Sequence, residues 1–541
     1  MTADRIFYGG KVITVDTDFS IVQAVAVCDG KIVKVGSDEE VKALAGDNTE
    51  LCDLGGKSMI PGMIDAHGHL GMEIKFANWA NLKSRDFYHP AVLSVPKVVE
   101  ILKAHIADSN LSDSDYVLGF GYHESRLEEK RFLNKFDLDQ VSTTQPVIVA
   151  NISLHTFSFN SFALKMLGVD ENTPDPGTSK IYRVEGSNEP TGTIQGPLAQ
   201  ELIFNLSLED MDSKLRAFEK AQDLYFSVGL TTAQEGKSTP VDIEIFDMAR
   251  KAGKIRIDIA SFTDYTGIDE ALKKYPFKVG EQLDHVRICG IKMISDGTLA
   301  AGAYLSRPFE GTTDNYGIQY IPFGRMKEAI RNALLNNWQF CVHTIGDAAI
   351  DKLMDAYEEV LNEEKLDPMD YRNVINHATA CRINQLPRVK KLNMIISFYP
   401  SAASSIYEVF CMTVGKDRAD VLNPMRSAFD EGIVCTMHND APIIGPDPFI
   451  IMWSAVNRVS VRTGTLFAPE QRITIEEALR ALTINGAYQH GEEEYKGSIE
   501  VGKNADLVIL SMDPLSIDPL ETKNIKPLET IKDGITVYKA V

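Results

Sequence analysis

Residues 59–70 read Met59-Ile60-Pro61-Gly62-Met63-Ile64-Asp65-Ala66-His67-Gly68-His69-Leu70. The apolar run that precedes the histidines predicts a short buried strand. Side chains alternate along a strand, so the imidazoles of His67 and His69 would lie on one side and could bind the same metal ion. Asp65 is placed to orient one of these rings from behind. Two exposed loop histidines are the alternative interpretation of the pair.

The length and the net charge limit the classes of protein to which the chain can belong. The chain has 541 residues, 44% hydrophobic and 24% charged, which is typical of a globular protein. Its length predicts about two to four domains. The net charge of -21 argues against a nucleic-acid or anionic-membrane partner, because both require basic surfaces. We therefore expect a small-molecule substrate.

The seven cysteines show no metal-binding pattern. They are scattered along the chain, and none belongs to a Cys-x-x-Cys pair. The N-terminus lacks the basic-then-apolar layout of a signal peptide, and no apolar run reaches about 18 residues. These features predict reduced cysteines in a cytoplasmic protein without a transmembrane helix. A metal would then be held by nitrogen and oxygen ligands.

The two ends of the chain share a β-rich pattern. Residues 1–58 alternate short strand-like runs with turns, including Asp29-Gly30, and residues 485–541 do the same around Asp533-Gly534. Asp-Gly between alternating apolar runs is a strong hairpin signal. Each end is too small to bury a core alone, so we expect the two to combine into one β-sandwich domain.

Between these ends, strand-like runs alternate with amphipathic helical patterns. The candidate strands are 59–66, 229–235, 255–261, 286–294, 339–343, 372–377, 393–398 and 433–438. Strand–helix alternation with eight repeats predicts an α/β protein with a (β/α)₈ TIM barrel, formed by 59–70 and 229–484. The long segment 71–228 after the first strand is expected to be an inserted α/β lid or substrate domain.

Ionisable side chains lie near the carboxyl ends of several candidate strands, where a barrel carries its active site. They are His67, His69, Lys292, His343, His377 and Asp440. Taken singly, each has a structural explanation: a hydrogen-bonded histidine at a strand end, a lysine that reaches solvent, or an aspartate in a turn before proline. Four histidines on one rim make that explanation poor. The sequence therefore predicts a metal site.

Lys292 and Asp440 have distinct predicted roles in such a site. A lysine becomes a metal ligand only when burial and nearby positive charge deprotonate it, after which CO₂ can convert it to a bridging carbamate. A carboxylate such as Asp440 beside an activated water is suited to act as a general base.

The chain resembles the amidohydrolase superfamily, and within it the branch called amidohydrolase 3, which includes N-substituted formamide deformylases. The matching segments are 61–69, 290–299 around Lys292, 343–349, 377–378, 439–443 and the closing 497–508. The resemblance implies a metal-dependent hydrolase of C–N bonds other than peptide bonds. It implies a site of His67, His69, carboxylated Lys292, His343, His377 and Asp440, with one or two divalent metal ions, zinc first among them. A homodimer is the expected assembly.

Several features depart from the pattern of this branch and leave the substrate open. The stretch 397–407 is smaller and less polar than its counterparts, and His438 stands where a small residue is common. His438 either packs under the rim or hydrogen-bonds near Asp440. His155 and Arg307 are candidate substrate contacts, with a structural histidine and a surface ion pair as the respective alternatives.

Two other functions compete with hydrolysis of an amide, formamide or N-acyl compound. A deaminase or cyclic-amide hydrolase could use the same scaffold, although deaminases of this superfamily carry a His-x-x-Glu pair and here His343 is followed by Thr344-Ile345-Gly346. A regulatory protein on a retired hydrolase barrel is the non-enzyme alternative. A retired barrel should have lost ligands, whereas every expected ligand type is present.

Overall fold

The computed structural model describes residues 2–83, 87–88, 93–112, 114–175, 177, 179–204, 210–300, 302–368 and 371–541. The chain divides into two compact units. The first comprises residues 1–73 and 219–541, and the second comprises residues 74–218.

Eight parallel strands form the central sheet of the first unit. They are β1 (Met63–Ile64), β2 (Leu230–Ser238), β3 (Asp258–Asp264), β4 (Val286–Ile294), β5 (Gln339–Thr344), β6 (Val374–His377), β7 (Ile395–Phe398) and β8 (Cys435–Met437). Neighbours in the sheet follow chain order, from β1 to β8. The short strand Gln282–Leu283 pairs antiparallel with β4. This arrangement is a TIM-like barrel, as the strand–helix alternation predicts.

The first and last barrel strands are joined beyond their carboxyl ends. The backbone N–H of His69 donates to the carbonyl of Ala441 at 2.7 Å. Deeper in the barrel, Gln489 Nε2 donates to the carbonyl of Ala66 at 2.7 Å and Gln489 Oε1 accepts from Thr436 Oγ1 at 2.7 Å. The metal-ligand candidates after β1 and β8 are therefore tied together by backbone and side-chain bonds.

Helices follow or flank these strands. Their bounds are Asp38–Lys42, Leu70–Phe76, Met211–Ser227, Pro240–Lys251, Ile268–Lys274, Phe323–Leu335, Asp347–Glu364, Leu386–Lys391, Pro400–Val414, Lys416–Ala419, Met425–Asp430, Pro448–Asn457, Ile475–Leu482 and Ile484–His490. Single 3₁₀ turns lie at Ile383–Gln385 and Pro469–Gln471, and a longer one at Pro519–Asn524. The helix after β2 shows why these boundaries form: Pro240 occupies its first turn, and the Thr239 side chain accepts from the backbone N–H of Asp242 in a capping box.

The expected strand 59–66 is divided in the structure. Ser58–Pro61 belongs to a sheet of the terminal segments, and only Met63–Ile64 enters the barrel. Gly62 lies between the two parts. A side chain would not fit at this position, because a Cβ there would lie 2.3 Å from Thr231 Oγ1. The single-strand prediction is wrong at this point because periodicity does not report which sheet a residue joins.

Strands from both ends of the chain share a six-stranded sheet. Its order is Ile535–Lys539, Pro527–Lys532, Leu507–Leu510, Ser58–Pro61, Lys11–Ile13 and Ile21–Val22. A four-stranded sheet has the order Lys31–Gly36, Ala24–Cys28, Arg5–Tyr8 and Glu50–Asp53. One apolar cluster contains buried residues of both sheets, among them Phe7, Val25 and Leu507. Asp29-Gly30 and Asp533-Gly534 form the hairpin turns with positive φ that their sequence indicates.

The second unit has its own six-stranded mixed sheet. In spatial order its strands are Lys180–Arg183, Pro190–Gln195, Thr156–Phe159, Val147–Asn151, Val117–Tyr122 and Ala80–Asn81. The helices Val95–Asp108, Lys135–Leu138, Ser161–Leu167 and Pro197–Phe204 and the 3₁₀ turn Glu124–Arg126 complete it. Leu102, Val117 and Val147 lie in its buried core. The expected insertion 71–228 includes residues outside the described ranges.

A buried ion network connects the amino end of β3 to the C-terminal segment. Lys532 Nζ lies 3.1 Å from Asp258 Oδ2 and 3.2 Å from Asp506 Oδ1, and Lys496 also contacts Asp258. Burial alone would raise the pKa of Asp258, but the two ammonium groups hold it well below its ordinary value. Each charge in this network is therefore compensated only while its partners remain.

We expect Lys532→Met to lower the free energy of unfolding by about 3 kcal/mol, because it leaves buried carboxylates under-compensated. Urea denaturation measures the change. Lys539→Met is the matched control, since that side chain is 73% exposed and contacts Glu529 at 3.7 Å. Its expected effect is below about 1 kcal/mol. Equal effects of the two substitutions would contradict a stabilising role for the network.

Candidate metal centre

His67 and His69 lie in the segment between β1 and the helix Leu70–Phe76. Strand β1 ends at Ile64, so alternation along a strand is not what brings the rings together. Gly68 makes the close turn possible, because a Cβ there would lie 2.3 Å from Asp65 Oδ2. Its carbonyl accepts from the N–H of Gly236 at 2.7 Å. The ring centroids of the two histidines are 5.1 Å apart.

Asp440 faces both imidazoles. Its Oδ1 lies 3.3 Å from Nε2 of His67 and 3.4 Å from Nε2 of His69. This oxygen is buried and has no hydrogen-bond partner of adequate geometry among the described residues. Ligand atoms of the three residues all lie within 4.8 Å of one another. Two nitrogens and one carboxylate oxygen that converge in this way suit a divalent metal ion.

Strand β2 supplies two residues that orient these ligands. Gln234 Oε1 lies 2.7 Å from His67 Nδ1, so this nitrogen donates its proton and the Nε2 lone pair is left free. Glu235 Oε1 lies 3.6 Å from His69 Nδ1, and its other oxygen accepts from the N–H of Gly71 at 2.6 Å. Neither residue was predicted from the sequence. Two adjacent polar residues within a buried strand are the one sequence feature that marks them, and such a pair becomes informative only once its partners are known.

The remaining predicted ligands surround this group. Lys292 Nζ lies 3.4 Å from His67 Nε2, and the lysine is 2% exposed. The ring of His377 lies 5.2 Å from that of His67 and 4.4 Å from that of His343. His343 Nε2 is buried, and in the part of the chain that the structure describes it has no hydrogen-bond partner. The structure thus brings all six residues into one region at the carboxyl ends of β1, β4, β5, β6 and β8.

The imidazoles of His67, His343 and His377 are neutral at neutral pH. Burial, reinforced by the Lys292 charge, lowers the pKa of His343 to about 4 and that of His67 well below its ordinary value. Burial and the neighbouring His343 and His438 do the same for the pKa of His377. Burial also lowers the pKa of Lys292. Neutral imidazole is the form that binds metal.

His438 is fully buried and hydrogen-bonds with His377 rather than with Asp440. Its Nε2 lies 3.0 Å from His377 Nδ1, and its Nδ1 lies 2.9 Å from Ser397 Oγ. Its ring stacks on Tyr399 with centroids 5.0 Å apart. If His377 donates from Nδ1 to His438, its Nε2 lone pair becomes available to a metal.

The two candidate substrate contacts are His155 and Arg307. His155 is exposed, in the second unit, immediately before the strand Thr156–Phe159. Arg307 Nη1 lies 2.9 Å from Asp417 Oδ2, and both side chains are 62% exposed. This is the surface ion pair that was the alternative interpretation of Arg307.

Comparisons with known proteins identify the family. A model of the amidohydrolase family matches residues 50–538. The chain belongs to the amidohydrolase family. It is 29% identical to N-substituted formamide deformylase of Arthrobacter pascens, over 99% of this chain and 98% of the relative. It is 28% identical to the putative amidohydrolase YtcJ of Bacillus subtilis (strain 168), over 99% of each.

A solved structure shares the fold of this amidohydrolase. An uncharacterized metal-dependent hydrolase from Pyrococcus furiosus superposes with a TM-score of 0.75 at 23% identity, covering 95% of this chain and 100% of that one. The family resemblance inferred from the sequence motifs is therefore confirmed, and the protein is a hydrolase. Among the described residues, no helix is both long and apolar enough to cross a membrane.

We expect His438→Phe to weaken metal binding about 10- to 100-fold, because it removes the acceptor that orients His377. Phenylalanine keeps an aromatic ring to pack on Tyr399, so the loss would report the hydrogen bond. Competition with a chromogenic chelator measures the affinity. His155→Phe is the matched control and should leave it unchanged. Wild-type affinity in the His438 variant would contradict the orienting role.

Metal affinity is expected to rise with pH up to about pH 9. Burial lowers the pKa of His69, but the Asp440 and Glu235 carboxylates outweigh it and raise that pKa to about 9. Below this pH the metal must displace a proton, so apparent affinity should fall about tenfold per pH unit. Chelator competition between about pH 6 and 9 tests this. In Glu235→Gln the dependence should end at a lower pH, and a flat wild-type profile would exclude proton competition at His69.

Proposed function

We propose that this amidohydrolase uses a divalent metal, zinc first among the candidates, to hydrolyse the C–N bond of a small formamide, amide or N-acyl compound. The convergence of His67, His69 and Asp440 at the carboxyl ends of the barrel strands carries this proposal. The name of the Arthrobacter relative, N-substituted formamide deformylase, favours a formamide among these classes.

The donor set fits a metal ion. Asp440 Oδ1 and His343 Nε2 are buried polar atoms that find no hydrogen-bond partner within the described ranges, a costly state that coordination would relieve. Neutral imidazoles and a carboxylate are ligands that zinc accepts. When bound, the ion supplies Lewis acidity, which polarises a carbonyl and makes hydroxide available near neutral pH.

Asp440 is the proposed general base. Burial would raise its pKa, but His69 and the neighbouring charges hold it below its ordinary value, so the group is a carboxylate at neutral pH. It can accept the proton of the attacking water and return it to the leaving nitrogen. Gln234 and Glu235 hold the two imidazoles in place during these proton transfers.

Lys292 is the proposed site of carboxylation. The buried amine has a lowered pKa, because burial disfavours its charge, and a neutral amine can react with CO₂. With two ions bound, the carbamate would help to hold them together with His67, His69, His343 and His377. With a single ion, Lys292 would remain unmodified.

The domain organisation is part of the same proposal. We assign residues 1–58 and 485–541 to a composite sandwich, 59–70 and 229–484 to the barrel, and 71–228 to an inserted lid or substrate domain. In the chain, the insertion takes the place of the loop after the first barrel strand, and such loops supply the substrate-binding residues of these barrels.

We expect metal-loaded wild type to release amine from at least one class in a panel of N-alkyl formamides, N-acyl amino acids and cyclic amides. Asp440→Asn should lower kcat about 10²- to 10⁴-fold, because the proton acceptor is lost. Amine release is measured by a fluorogenic reagent. Asp430→Asn, at an exposed aspartate paired with Arg426, is the control and should keep full activity. A wild type that binds no metal and hydrolyses nothing after zinc or manganese supplementation would overturn the proposal.

A further inference from the structure

The structure contains a cavity of about 390 Å³. It is bounded by the loop at Leu305–Arg307, the start of the helix at Asp347, the segment from Ala380 to Asn384, and residues 414–422. None of the six predicted metal ligands is among the described residues that line it. Cavities of this size hold small organic molecules.

Two of the three arginines that line the cavity are paired with carboxylates. Arg382 Nη1 lies 2.7 Å from Asp347 Oδ2, and its Nη2 lies 2.6 Å from Asp351 Oδ2. Arg307 pairs with Asp417 at the surface. Their charges are therefore largely compensated.

Arg418 differs from both. Its guanidinium donates to the carbonyls of Val414, Arg307 and Pro308, the last two at 3.1 and 2.8 Å. Across the described part of the chain, no carboxylate oxygen lies within 4.0 Å of it, and the carboxylates of Asp417 and Glu310 act on it from farther away. Burial and the charge of Arg307 lower the pKa of Arg418. An anion at this place would relieve that unfavourable environment.

The geometry of the remaining donors favours a carboxylate. Arginine has five N–H groups, and the three carbonyl bonds of Arg418 leave one on each terminal nitrogen. Such a pair matches the two oxygens of a carboxylate. A phosphate dianion is disfavoured, since Asp347 and Asp417 also line the cavity.

Aliphatic side chains form part of the wall, beside the polar Ser306 and Asn384. Leu305, Val414 and Leu422 are buried, while Ile383 and Val421 are 48% and 42% exposed at the cavity. Exposed aliphatic side chains beside an uncompensated guanidinium favour a ligand with an apolar body and one negative charge.

We propose that this cavity is a second ligand site, which binds a small organic monocarboxylate through Arg418 and packs its apolar body against Ile383 and Val421. The site is independent of the metal centre and does not rest on the proposed hydrolytic function. Binding, rather than activity, is therefore its test.

The probe is 4-fluorophenylacetate, titrated into the full-length enzyme and followed by ¹⁹F NMR. The neutral 2-(4-fluorophenyl)ethanol is the control ligand and should bind at least about tenfold more weakly. Arg418→Gln should weaken binding of the acid about tenfold or more, because a charged hydrogen-bonded pair is lost. Val421→Trp, which fills the cavity and keeps the guanidinium, should also weaken it.

Asp417→Asn should have the opposite effect and strengthen binding about two- to fivefold, since it removes a negative charge from the wall and frees Arg307. General destabilisation cannot increase affinity, so this variant keeps the test decisive even if Arg418→Gln folds poorly. Arg325→Gln, at an exposed pair with Glu328, is the matched control and should bind like wild type. Absence of binding, equal binding of the alcohol, or unchanged affinity in Asp417→Asn and Val421→Trp would overturn the proposal.

Discussion

The site depends on one arrangement: a buried aspartate oxygen that faces two imidazole nitrogens. Asp440 Oδ1 lies 3.3 and 3.4 Å from the Nε2 atoms of His67 and His69, without a hydrogen bond of its own. These residues come from opposite ends of the barrel sequence, and the bond from His69 N–H to Ala441 carbonyl holds those ends together. The contact that joins the two ends of the barrel therefore also brings Asp440 next to the two histidines.

Hydrogen bonds around the imidazoles determine which ring nitrogen carries the proton and which keeps a free lone pair. Gln234 fixes the tautomer of His67 by accepting at Nδ1, and His438 can do the same for His377. Burial keeps these rings neutral, which leaves their outward nitrogens as lone-pair donors. Burying such polar groups costs free energy, which is offset only when every hydrogen-bond partner is present. The residues that orient the imidazoles are therefore as important for the site as the candidate ligands themselves.

Features that depend on local sequence pattern could be predicted, whereas features that depend on distant partners could not. All eight barrel strands were predictable from apolar runs between turns and helices, although the first is shorter than expected because Gly62 divides it between two sheets. Gln234 and Glu235 escaped notice because polar residues in a strand look ordinary until their partners are known. Arg307 could equally have been a substrate contact or a surface pair, and only its 2.9 Å contact with Asp417 distinguishes these.

The sequence by itself determined the family, the alternation of strands and helices, and the residue types that could bind a metal, because motifs and periodicity are local properties. Tertiary structure decided which of those side chains converge and which tautomers their neighbours impose. It also decided that Arg418 lines a cavity with no carboxylate of a described residue paired to it. Such facts depend on contacts between residues far apart in the chain. The His67-Gly68-His69 segment illustrates the difference. Its two histidines are recognisable in the sequence as candidate metal ligands, whereas Asp440, which faces them in the structure, lies more than three hundred residues away in the chain.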